Sequence, residues 1–406
     1  MALKSKNNVL TRLSELLKEN QVNIIQKNQI DMDSISDSDI SMIDRLKVDK
    51  QKIEGMIKSL NEVSQQKDPE GKVLYEYIRE DGLHIINKTV PFGTILIIYE
   101  SRPDVTIEAA ATAFKAGNRI ILKGGRESLN TNIALTELWK QALQENGFDS
   151  DYVKYLNISR DETQSLIKNS NNKIDLIIPR GGDALINFVI QNSSAPVIIS
   201  GRGNNFIYID DECDIKKAIQ LIINGKQRIS VCNAIDKVLI NKNLDRLEDN
   251  IAIFINYLKD YNIEVYSNSE VSNISKVVTI DDNPEIMYEE FLAPKIYFSL
   301  VDNLTEAVNT INKYSGGHSA VIVTENEYKA TTFMQDVDCA AVYHNASSRF
   351  TDGGQFGVGA EIAISTQKIH FRGPLGTQEL VTNKWFVYGN GHVRDQQIST
   401  TNSCNI

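Results

Sequence analysis

From residue 93 onwards, short continuous apolar runs alternate with longer segments whose apolar residues have helical spacing. The run GTILIIYE at 93–100 has the composition of a strand buried on both faces. The alanine-rich segment at 106–117 is typical of a helix that ends at Gly117, and NRIILK at 118–123 is the next strand. The same alternation continues through the strand-like runs KIDLIIP (173–179), APVIIS (195–200) and FIYID (206–210) and the helical segments ALINFVIQN (184–192) and DIKKAIQLIINGK (214–226).

Strand–helix–strand units of this length predict a parallel, doubly wound sheet that binds ligands at the carboxyl ends of its strands. A second alternating block runs from about 234 to 345, so we expect two α/β lobes with Cys232 near their boundary. Clefts between lobes are common ligand sites. The strands predicted in the second block are AIDKVLI (234–240), KIYFSL (295–300), HSAVIVT (318–324) and AAVYHN (340–345).

Two segments fit neither lobe. Residues 71–93 contain Asp81-Gly82 between two alternating runs, which predicts a β-hairpin. Residues 383–394, NKWFVYGNGHVR, form a late strand whose apolar side chains need a partner. These appendages either mediate contact between subunits or pack on their own lobe, and the pattern alone does not decide between the two.

Composition narrows the class of protein. The 406 residues are 41% hydrophobic and 24% charged, which is typical of a soluble globular protein of two or three domains. The net charge of −10 argues against general binding of nucleic acid or anionic membrane. The start of the chain has helical spacing and not the pattern of a signal peptide, and no run reaches the roughly 18 apolar residues of a transmembrane helix.

The cysteines indicate a cytoplasmic, reduced protein with no metal site. Neither a C-x-x-C pair nor zinc-type spacing to a histidine occurs among the four, which are Cys213, Cys232, Cys339 and Cys404. Cys232, in the stretch RISVCNAIDKVLI, has two interpretations: a small core residue, which is the default for cysteine, or a nucleophile.

Two glycine-rich turns follow predicted strands and could approach a ligand closely. In ILKGGRES, Lys123 precedes a pair of glycines, and its ammonium could meet a ribose or phosphate; a plain tight turn is the alternative. In IPRGGD, Arg180 precedes two glycines that open a helix, an arrangement that leaves N–H groups for an anion. These turns supply Gly124, Gly125, Gly181 and Gly182.

Two further stretches carry candidate chemistry. ESRPDV at 100–105 lies at a strand end, where Ser101 offers a donor and Arg102 suits a carboxylate or phosphate. The segment 345–366 is polar and glycine-rich inside an otherwise well-patterned lobe; it is either a functional loop or an ordinary surface loop.

Taken together, these stretches resemble one family, in the same order and over nearly the whole chain. The family is the glutamate-5-semialdehyde dehydrogenases, also called gamma-glutamyl phosphate reductases, of the aldehyde dehydrogenase superfamily. The segment RFTDGG followed by GAEIAIST separates it from other aldehyde dehydrogenases. The resembling stretches are VPFGTILIIYESRPDVTIEAAATAFKAGNRIILKGG, IPRGGD, SVCNA, NASSRFTDGGQFGVGAEIAISTQKIHFRGPLG and GNGHVR.

The resemblance implies an aldehyde-dehydrogenase-like α/β fold, in which two doubly wound α/β lobes are joined by a β-hairpin and C-terminal strand for oligomerisation. Residues 1–70 and 94–225 would form an NADP-binding domain, 226–376 a catalytic domain, and 71–93 with 377–406 the oligomerisation element. A homo-oligomer, dimer or tetramer, is implied, and so is possible functional coupling to glutamate 5-kinase.

The implied reaction is the NADPH-dependent reduction of L-glutamyl 5-phosphate to L-glutamate 5-semialdehyde through a cysteine thioester, with release of phosphate. It is the second step of proline biosynthesis from glutamate. Cys232 falls on the family's nucleophile, and Glu290, in EEFLAP, resembles the glutamate that holds the nicotinamide ribose. Rival hypotheses are a different aldehyde or acyl-phosphate dehydrogenase and an inactive scaffold of the same fold.

The remaining roles follow from this assignment. Ser101 and Asn233 are candidate oxyanion donors beside the Cys232 backbone N–H, and Arg228 is a candidate for lowering the pKa of the thiol. His370 is either a late proton donor or a structural histidine. The cofactor side would comprise Lys123, Gly124, Gly125, Arg126, Arg180, Gly181, Gly182 and Glu290, and candidates for gripping the substrate are Arg102, Arg349 and Arg372, each of which could instead form a surface ion pair.

One departure from the family has a consequence. The family usually shows ETGxGNCH where this chain has IISGRGNNF at 198–206, so Ile199 replaces the glutamate and Asn205-Phe206 replace the Cys-His pair. Hydrolytic relatives use a glutamate in this region to activate water. Its absence predicts that phosphate, and not water, resolves the thioester in the reverse direction.

Overall fold

A computed structural model of the chain describes residues 3–35, 40–169, 173–229, 231–274, 279–280 and 282–394. Helices and strands alternate over most of it. The helices are α1 (Leu3–Glu19), α2 (Gln21–Met32), α3 (Ile40–Leu46), α4 (Lys50–Gln65), α5 (Val105–Lys115), α6 (Leu129–Glu145), α7 (Arg160–Lys168), α8 (Asp183–Asn192), α9 (Ile215–Lys226), α10 (Leu247–Asp260), α11 (Ser269–Ile274), α12 (Leu304–Tyr314) and α13 (Glu327–Asp336). None of these described helices combines the length and the apolarity needed to cross a membrane.

The strands form two parallel sheets and two small antiparallel ones. They are β1 (Val73–Ile78), β2 (His84–Pro91), β3 (Thr94–Tyr99), β4 (Arg119–Lys123), β5 (Val153–Tyr155), β6 (Leu176–Arg180), β7 (Asn205–Ile209), β8 (Ile235–Asn241), β9 (Glu264–Ser267), β10 (Thr279–Ile280), β11 (Lys295–Val301), β12 (Ser319–Val323), β13 (Ala341–His344), β14 (Ile364–Ser365), β15 (Gly373–Pro374) and β16 (Val381–Tyr388). The mixed α/β class with parallel sheets confirms the predicted fold class.

The first lobe is a four-stranded parallel sheet in the order β5-β4-β3-β6. Its central strand β3 is covered on both faces, as its continuous apolar run predicts. Ile95 and Ile97 join a core cluster that includes residues of α1, α4, α5 and α6, whereas Leu96 and Ile98 pack on the opposite face with Val189 of α8. The N-terminal helices therefore complete the core of this lobe.

The second lobe is a seven-stranded parallel sheet in the order β10-β9-β11-β8-β7-β12-β13. Strand β8 lies near its centre, and all seven of its residues are buried. Two core clusters cover the two faces of this sheet. The loop that carries Cys232 leads directly into β8, so the position of Cys232 is set by a fully buried strand at the centre of the lobe.

The boundary between the lobes differs from the predicted one at residue 225. Strand β7 pairs with β8 and β12 and thus belongs, with the following helix α9, to the second lobe. The predicted strand at 195–200 forms only isolated bridges, from Val197 to Ile177 and from Ser200 to Ser365. An apolar pattern predicts that a segment is a strand, but it does not say which sheet the strand joins, and the chain changes sheets between Arg180 and Asn205.

The predicted hairpin is present as β1 and β2, joined through Asp81-Gly82, with Gly82 at a positive φ of 85°. The late strand β16 is confirmed with bounds 381–388, and it pairs antiparallel with β2 over its whole length. The resulting three-stranded sheet has exposed side chains along all of β1. The Tyr75 ring lies 5.7 Å from the exposed Trp385 ring.

Candidate active site

Cys232 lies in a cleft where the two lobes meet. Cys232 precedes β8 at the amino-terminal edge of the seven-stranded sheet, next to the start of β7. From the other lobe, Arg180 at the end of β6 and Arg102 beyond the end of β3 are close enough to act on the thiol electrostatically. The carboxyl edge of one sheet thus faces the amino edge of the other across Cys232, which agrees with a ligand site between lobes.

The Cys232 thiol is accessible, and its pKa is raised overall. It is exposed, whereas Cys339 is buried and Cys213 is half-buried. The surrounding walls of the cleft desolvate the thiolate and raise the pKa of Cys232, the guanidinium groups of Arg180 and Arg102 lower it, and the carboxylate of Glu290 raises it. The largest opposing contribution therefore comes from Arg180, and not from Arg228 as the sequence analysis suggested.

Both arginines are unpaired in the described part of the chain. Neither the Arg102 nor the Arg180 guanidinium forms an ion pair there, and the buried Nε of Arg180 has no hydrogen-bond partner. Strand pairing sets Arg180 beside Tyr99, three residues before Arg102. A buried donor without a partner is costly. The two side chains are therefore suited to an anion that enters the cleft.

Two carboxylates near the cysteine have altered acidity. Burial raises the pKa of Glu361 to about 7, with a further increase from Asp352, while a hydrogen bond from the Gly353 N–H and the charge of Arg180 lower it. Burial, followed by the charge of Asp236, raises the pKa of Glu290, which accepts a hydrogen bond from the Gly203 N–H. Glu361 was not among the residues predicted from the sequence, although the loop 345–366 in which it lies was predicted as a candidate functional loop.

A second pair of carboxylates lies on the first turn of α5. Asp104 forms an ion pair of 3.3 Å with Lys52 through Oδ2, but its buried Oδ1 has no hydrogen-bond partner. Glu108 lies one turn further on the same face, and no described residue donates a hydrogen bond to its carboxylate. Burial, and next the charge of Asp104, raises the pKa of Glu108 to about 7, whereas Lys52, Arg102 and Arg180 lower it.

The predicted oxyanion donors are engaged elsewhere. The backbone N–H and hydroxyl of Ser101 donate to Glu127 Oε1 at 2.7 and 2.9 Å. The Asn233 amide donates to the carbonyls of Arg349 and Thr351 at 3.2 and 3.1 Å and accepts from Arg349 Nη1 at 2.6 Å. Asn233 therefore braces the 345–366 loop against the cysteine loop, and neither side chain is free to bind an oxyanion as predicted.

The two glycine turns differ in the space that they leave for a ligand. At the second turn the Gly182 N–H donates to Glu100 Oε2 at 2.9 Å, so the anion position predicted there holds a carboxylate of the chain itself. At the first turn a cavity of about 170 Å³ remains open. Burial lowers the pKa of Lys123 in its wall, and the Arg126 guanidinium forms no ion pair with the described residues. The lining comprises Lys123, Gly124, Gly125, Arg126, Leu129, Tyr155, Asn157, Ile158 and Ser159.

The remaining candidates are bonded to other residues of the chain or exposed. Arg372 forms an ion pair of 2.7 Å with Asp338 and donates to the Asp338 carbonyl at 3.1 Å, so the surface ion pair is the arrangement observed. His370 is exposed beside the Phe371 ring. Arg349 is half-buried, and its guanidinium is bonded to Asn233; burial lowers its pKa, and the charge of Cys232 raises it.

Among the residues that the structure describes, one group of acidic side chains elsewhere has the spacing of a metal site. Asp210, Asp211 and Glu212 converge at the end of β7, yet the ammonium of Lys329 lies among them at 3.2, 2.5 and 3.0 Å. The Lys329 ammonium pairs with all three carboxylates and lies where a metal ion would bind, so the cluster is a structural ion-pair network.

Comparisons with known proteins agree with this geometry. Residues 1–266 and 275–360 match the model of the aldehyde dehydrogenase family. The chain is 42% identical over 395 residues to a gamma-glutamyl phosphate reductase from Clostridium perfringens, which covers 96% of this chain and 94% of the relative. A crystal structure of gamma-glutamyl phosphate reductase from Thermotoga maritima superposes with a TM-score of 0.90 at 39% identity, covering 97% and 95% of the two chains.

More distant structures share the fold alone. An acetylating aldehyde dehydrogenase from Geobacillus thermoglucosidasius has a TM-score of 0.68 at 17% identity, over 98% of this chain and 94% of that one. The fold is thus shared with an aldehyde dehydrogenase of low sequence identity. The two proteins above with sequence identity near 40% to this chain are both gamma-glutamyl phosphate reductases.

Proposed function

The chain belongs to the aldehyde dehydrogenase family and, within it, to the gamma-glutamyl phosphate reductases, and we propose that it reduces L-glutamyl 5-phosphate to L-glutamate 5-semialdehyde for proline biosynthesis. The observation that carries the proposal is the exposed Cys232 thiol in a cleft beside two unpaired arginines. A nucleophile next to an anion site is what an acyl phosphate requires.

In the first half-reaction the Cys232 thiolate adds to the acyl carbonyl, and the C–O bond to phosphate breaks to give a thioester and inorganic phosphate. Arg180 and Arg102 stabilise the thiolate and the leaving phosphate. Because Ser101 and Asn233 are engaged, the oxyanion is left to the Cys232 backbone N–H and to these guanidinium groups. Glu361 has a pKa of about 7 and is close enough to Cys232 for the thiolate charge to raise that pKa, and we assign it the role of taking up the thiol proton.

The cofactor proposed is NADPH, which when bound supplies the hydride that converts the thioester to the aldehyde. The residues fit such a group: the cavity beside the first glycine turn offers an unpaired guanidinium, Arg126, and the ammonium of Lys123, both suited to a ribose 2′-phosphate. Glu290 lies on the Cys232 side of the cleft, where it would hold the nicotinamide ribose. Collapse of the tetrahedral adduct returns the Cys232 thiolate.

The other end of the substrate is an α-amino acid. We propose that the free carboxylate of Glu108 and the unpartnered Oδ1 of Asp104 receive its ammonium group. Arg102, whose charge acts on both Glu108 and Cys232, receives an anionic group of the substrate. Ammonium and carboxylate attract strongly in a half-buried cleft. We retain Arg349 as a weaker candidate for contact with the substrate, because its guanidinium is already bonded to the Asn233 side chain.

We also propose a homo-oligomer, dimer or tetramer, assembled through the exposed face of β1 and β16, and a cytoplasmic location that keeps the free thiol reduced. Functional coupling to glutamate 5-kinase belongs to the same proposal because the acyl phosphate substrate is unstable in water and must come from a kinase.

The decisive experiment runs the reaction in reverse. Glutamate semialdehyde and NADP are supplied with and without inorganic phosphate or arsenate, and NADPH formation is followed. We expect multi-turnover reduction of NADP only with the oxyanion and none for Cys232→Ala, which should still bind NADPH. Phosphate-independent formation of glutamate would overturn the proposal, and turnover of other aldehydes alone would assign a different dehydrogenase.

A further inference from the structure

Two adjacent asparagines at the start of β7 hold the two catalytic segments together. Asn205 is fully buried, and its Nδ2 lies 2.8 Å from the carbonyl of Cys232, 2.7 Å from that of Ala234 and 3.1 Å from that of Gly203. Its Oδ1 accepts the Ser319 N–H at 2.9 Å. Two amide hydrogens serve three carbonyl groups, so the shorter bonds fix the nucleophile loop on both sides of Asn233.

The orientation of this amide is determined by its surroundings. Exchange of Oδ1 and Nδ2 would place an oxygen against three carbonyl oxygens and an N–H against the Ser319 N–H. Position 205 therefore requires a side chain with two N–H donors beside one acceptor, which asparagine provides. A smaller side chain or an aspartate cannot donate to the carbonyls of Cys232 and Ala234 while accepting from the Ser319 N–H.

The preceding residue, Asn204, acts on the segment that carries Glu290. Its Nδ2 donates to the carbonyls of Met287 and Tyr314 at 2.7 and 2.9 Å, and its Oδ1 accepts from the buried Lys237 ammonium at 2.9 Å. Lys237 in turn donates to the Glu289 carbonyl at 2.7 Å.

The residue after Glu290 is anchored by the same strand that follows Cys232. The Phe291 N–H donates to Asp236 Oδ2 at 2.8 Å, and the Lys237 ammonium lies 3.7 Å from the centre of the Phe291 ring. Both chain neighbours of Glu290 are thus held by consecutive residues of β8. Gly203 completes the contact, because its N–H donates to the Glu290 carboxylate.

We infer that Asn204 and Asn205 are positioning residues that fix the separation between Cys232 and Glu290, and hence the alignment of a Cys232 thioester with the nicotinamide ring. This inference rests on the proposed function. Hydride transfer depends on that alignment, since a displacement of about 1 Å can cost on the order of 100-fold in rate. Thiol alkylation depends chiefly on the Cys232 segment, and dinucleotide binding depends chiefly on the Glu290 segment and the first glycine turn.

The test compares Asn204→Ala, Asn205→Ala and the isosteric Asn205→Asp with Asn241→Ala. Asn241 is a buried asparagine at the far end of β8, bonded to the Tyr208 hydroxyl at 2.9 Å, and its loss controls for a general loss of stability. The measurements are kcat, KM for NADPH, the deuterium isotope effect with 4-deuterated NADPH, and the rate of Cys232 alkylation by iodoacetamide.

We expect kcat to fall by about 10- to 100-fold in the Asn204 and Asn205 variants and the isotope effect on kcat to rise, with KM for NADPH within about 3-fold of wild type. Asn204→Ala should also leave the rate of Cys232 alkylation unchanged. A loss of kcat no larger than that of Asn241→Ala, or an unchanged isotope effect, would overturn the inference. An inactive wild-type protein would instead overturn the proposed function.

Discussion

A Cβ atom at Gly203 would lie 2.5 Å from the Cα of Cys232 and 2.6 Å from Glu290 Oε1. Real Cβ atoms do not come so close to backbone, so Gly203→Ala must displace the nucleophile loop. We expect it to reduce kcat about 100-fold or more and to lower the free energy of unfolding by about 1–3 kcal/mol.

The matched control is Gly55→Ala, the same change in the middle of α4, where nothing lies within 4 Å of the added methyl group. It should raise the free energy of unfolding by about 0.4–1 kcal/mol and leave activity intact. Steady-state kinetics and urea unfolding measure both effects. Full activity of Gly203→Ala would mean that the contact between these loops is not required.

Arg126→Ala should weaken NADPH but not NADH. The Arg126 guanidinium lines the cavity at the first glycine turn, and a charge-assisted hydrogen bond to a 2′-phosphate contributes about 1.5–3 kcal/mol, or roughly 10- to 100-fold in affinity. KM values for the two cofactors are the measurement. The control is Arg119→Ala, which removes an exposed arginine from β4. Parallel losses with both cofactors would place the 2′-phosphate elsewhere.

Glu108→Gln should separate substrates by their amino group. If the Glu108 carboxylate binds the substrate ammonium, kcat/KM should fall about 10-fold or more for glutamate semialdehyde and stay unchanged for 5-oxopentanoate, which lacks the amine. Glu137→Gln, an exposed change on α6, is the control. An equal loss with both aldehydes would refute a contact with the ammonium group.

Glu361 makes stability depend on pH. Its pKa is raised to about 7 in the folded protein, while an unfolded chain titrates near 4.3. The folded state therefore binds more protons between these values, and stability falls as pH rises from about 4.5 to 7. Glu361→Gln should gain roughly 1–2 kcal/mol over wild type at pH 8 and little at pH 4.5. A gain independent of pH in urea unfolding would contradict this cause.

The exposed aromatic face should bind a second copy of the chain. Tyr75 and Trp385 lie on the two edge strands of the three-stranded sheet, with β2 between them, and Trp385 is 56% exposed. Trp385→Asp places a charge in that face and should shift the mass in solution towards the monomer, as sedimentation equilibrium would detect. Tyr328→Asp, at an exposed site on α13, should not. An unchanged mass for Trp385→Asp would remove this surface from the interface.

Local pattern predicted most of the elements, although it wrongly predicted a strand at 195–200, and it did not predict which strands pair with each other. Strand β3 and the hairpin at Asp81-Gly82 were predicted because burial on both faces requires a continuous apolar run and a tight turn requires residues such as Asp-Gly. The pairing of β7 with the second sheet requires no particular residues within β7, so its sequence does not reveal that pairing. Cys232 was identified through the family resemblance, since its spacing alone did not separate a nucleophile from a core residue.

The site shows the same limit at the level of side chains. Ser101 bonds to Glu127, 26 residues away, and Asn233 bonds to the loop at Arg349, 116 residues away. Each side chain has the donor group that an oxyanion needs, but contacts with residues distant in the sequence already use that group. Glu361 was missed for the converse reason, because a carboxylate acquires a raised pKa only from the burial and charges that the fold places around it.

The pairing of β2 with β16 has a consequence for synthesis of the protein. Residues 84–91 leave the ribosome before either lobe is complete, and their partner, residues 381–388, follows only after the whole second lobe has been made. Until then one edge of the hairpin is an open strand with unpaired N–H and C=O groups. The core of the first lobe is completed at the same stage, because it includes Leu375, Leu380 and Val381. Pairing over so long a loop is slow, and it leaves the open edge of the hairpin exposed to aggregation in a nascent chain.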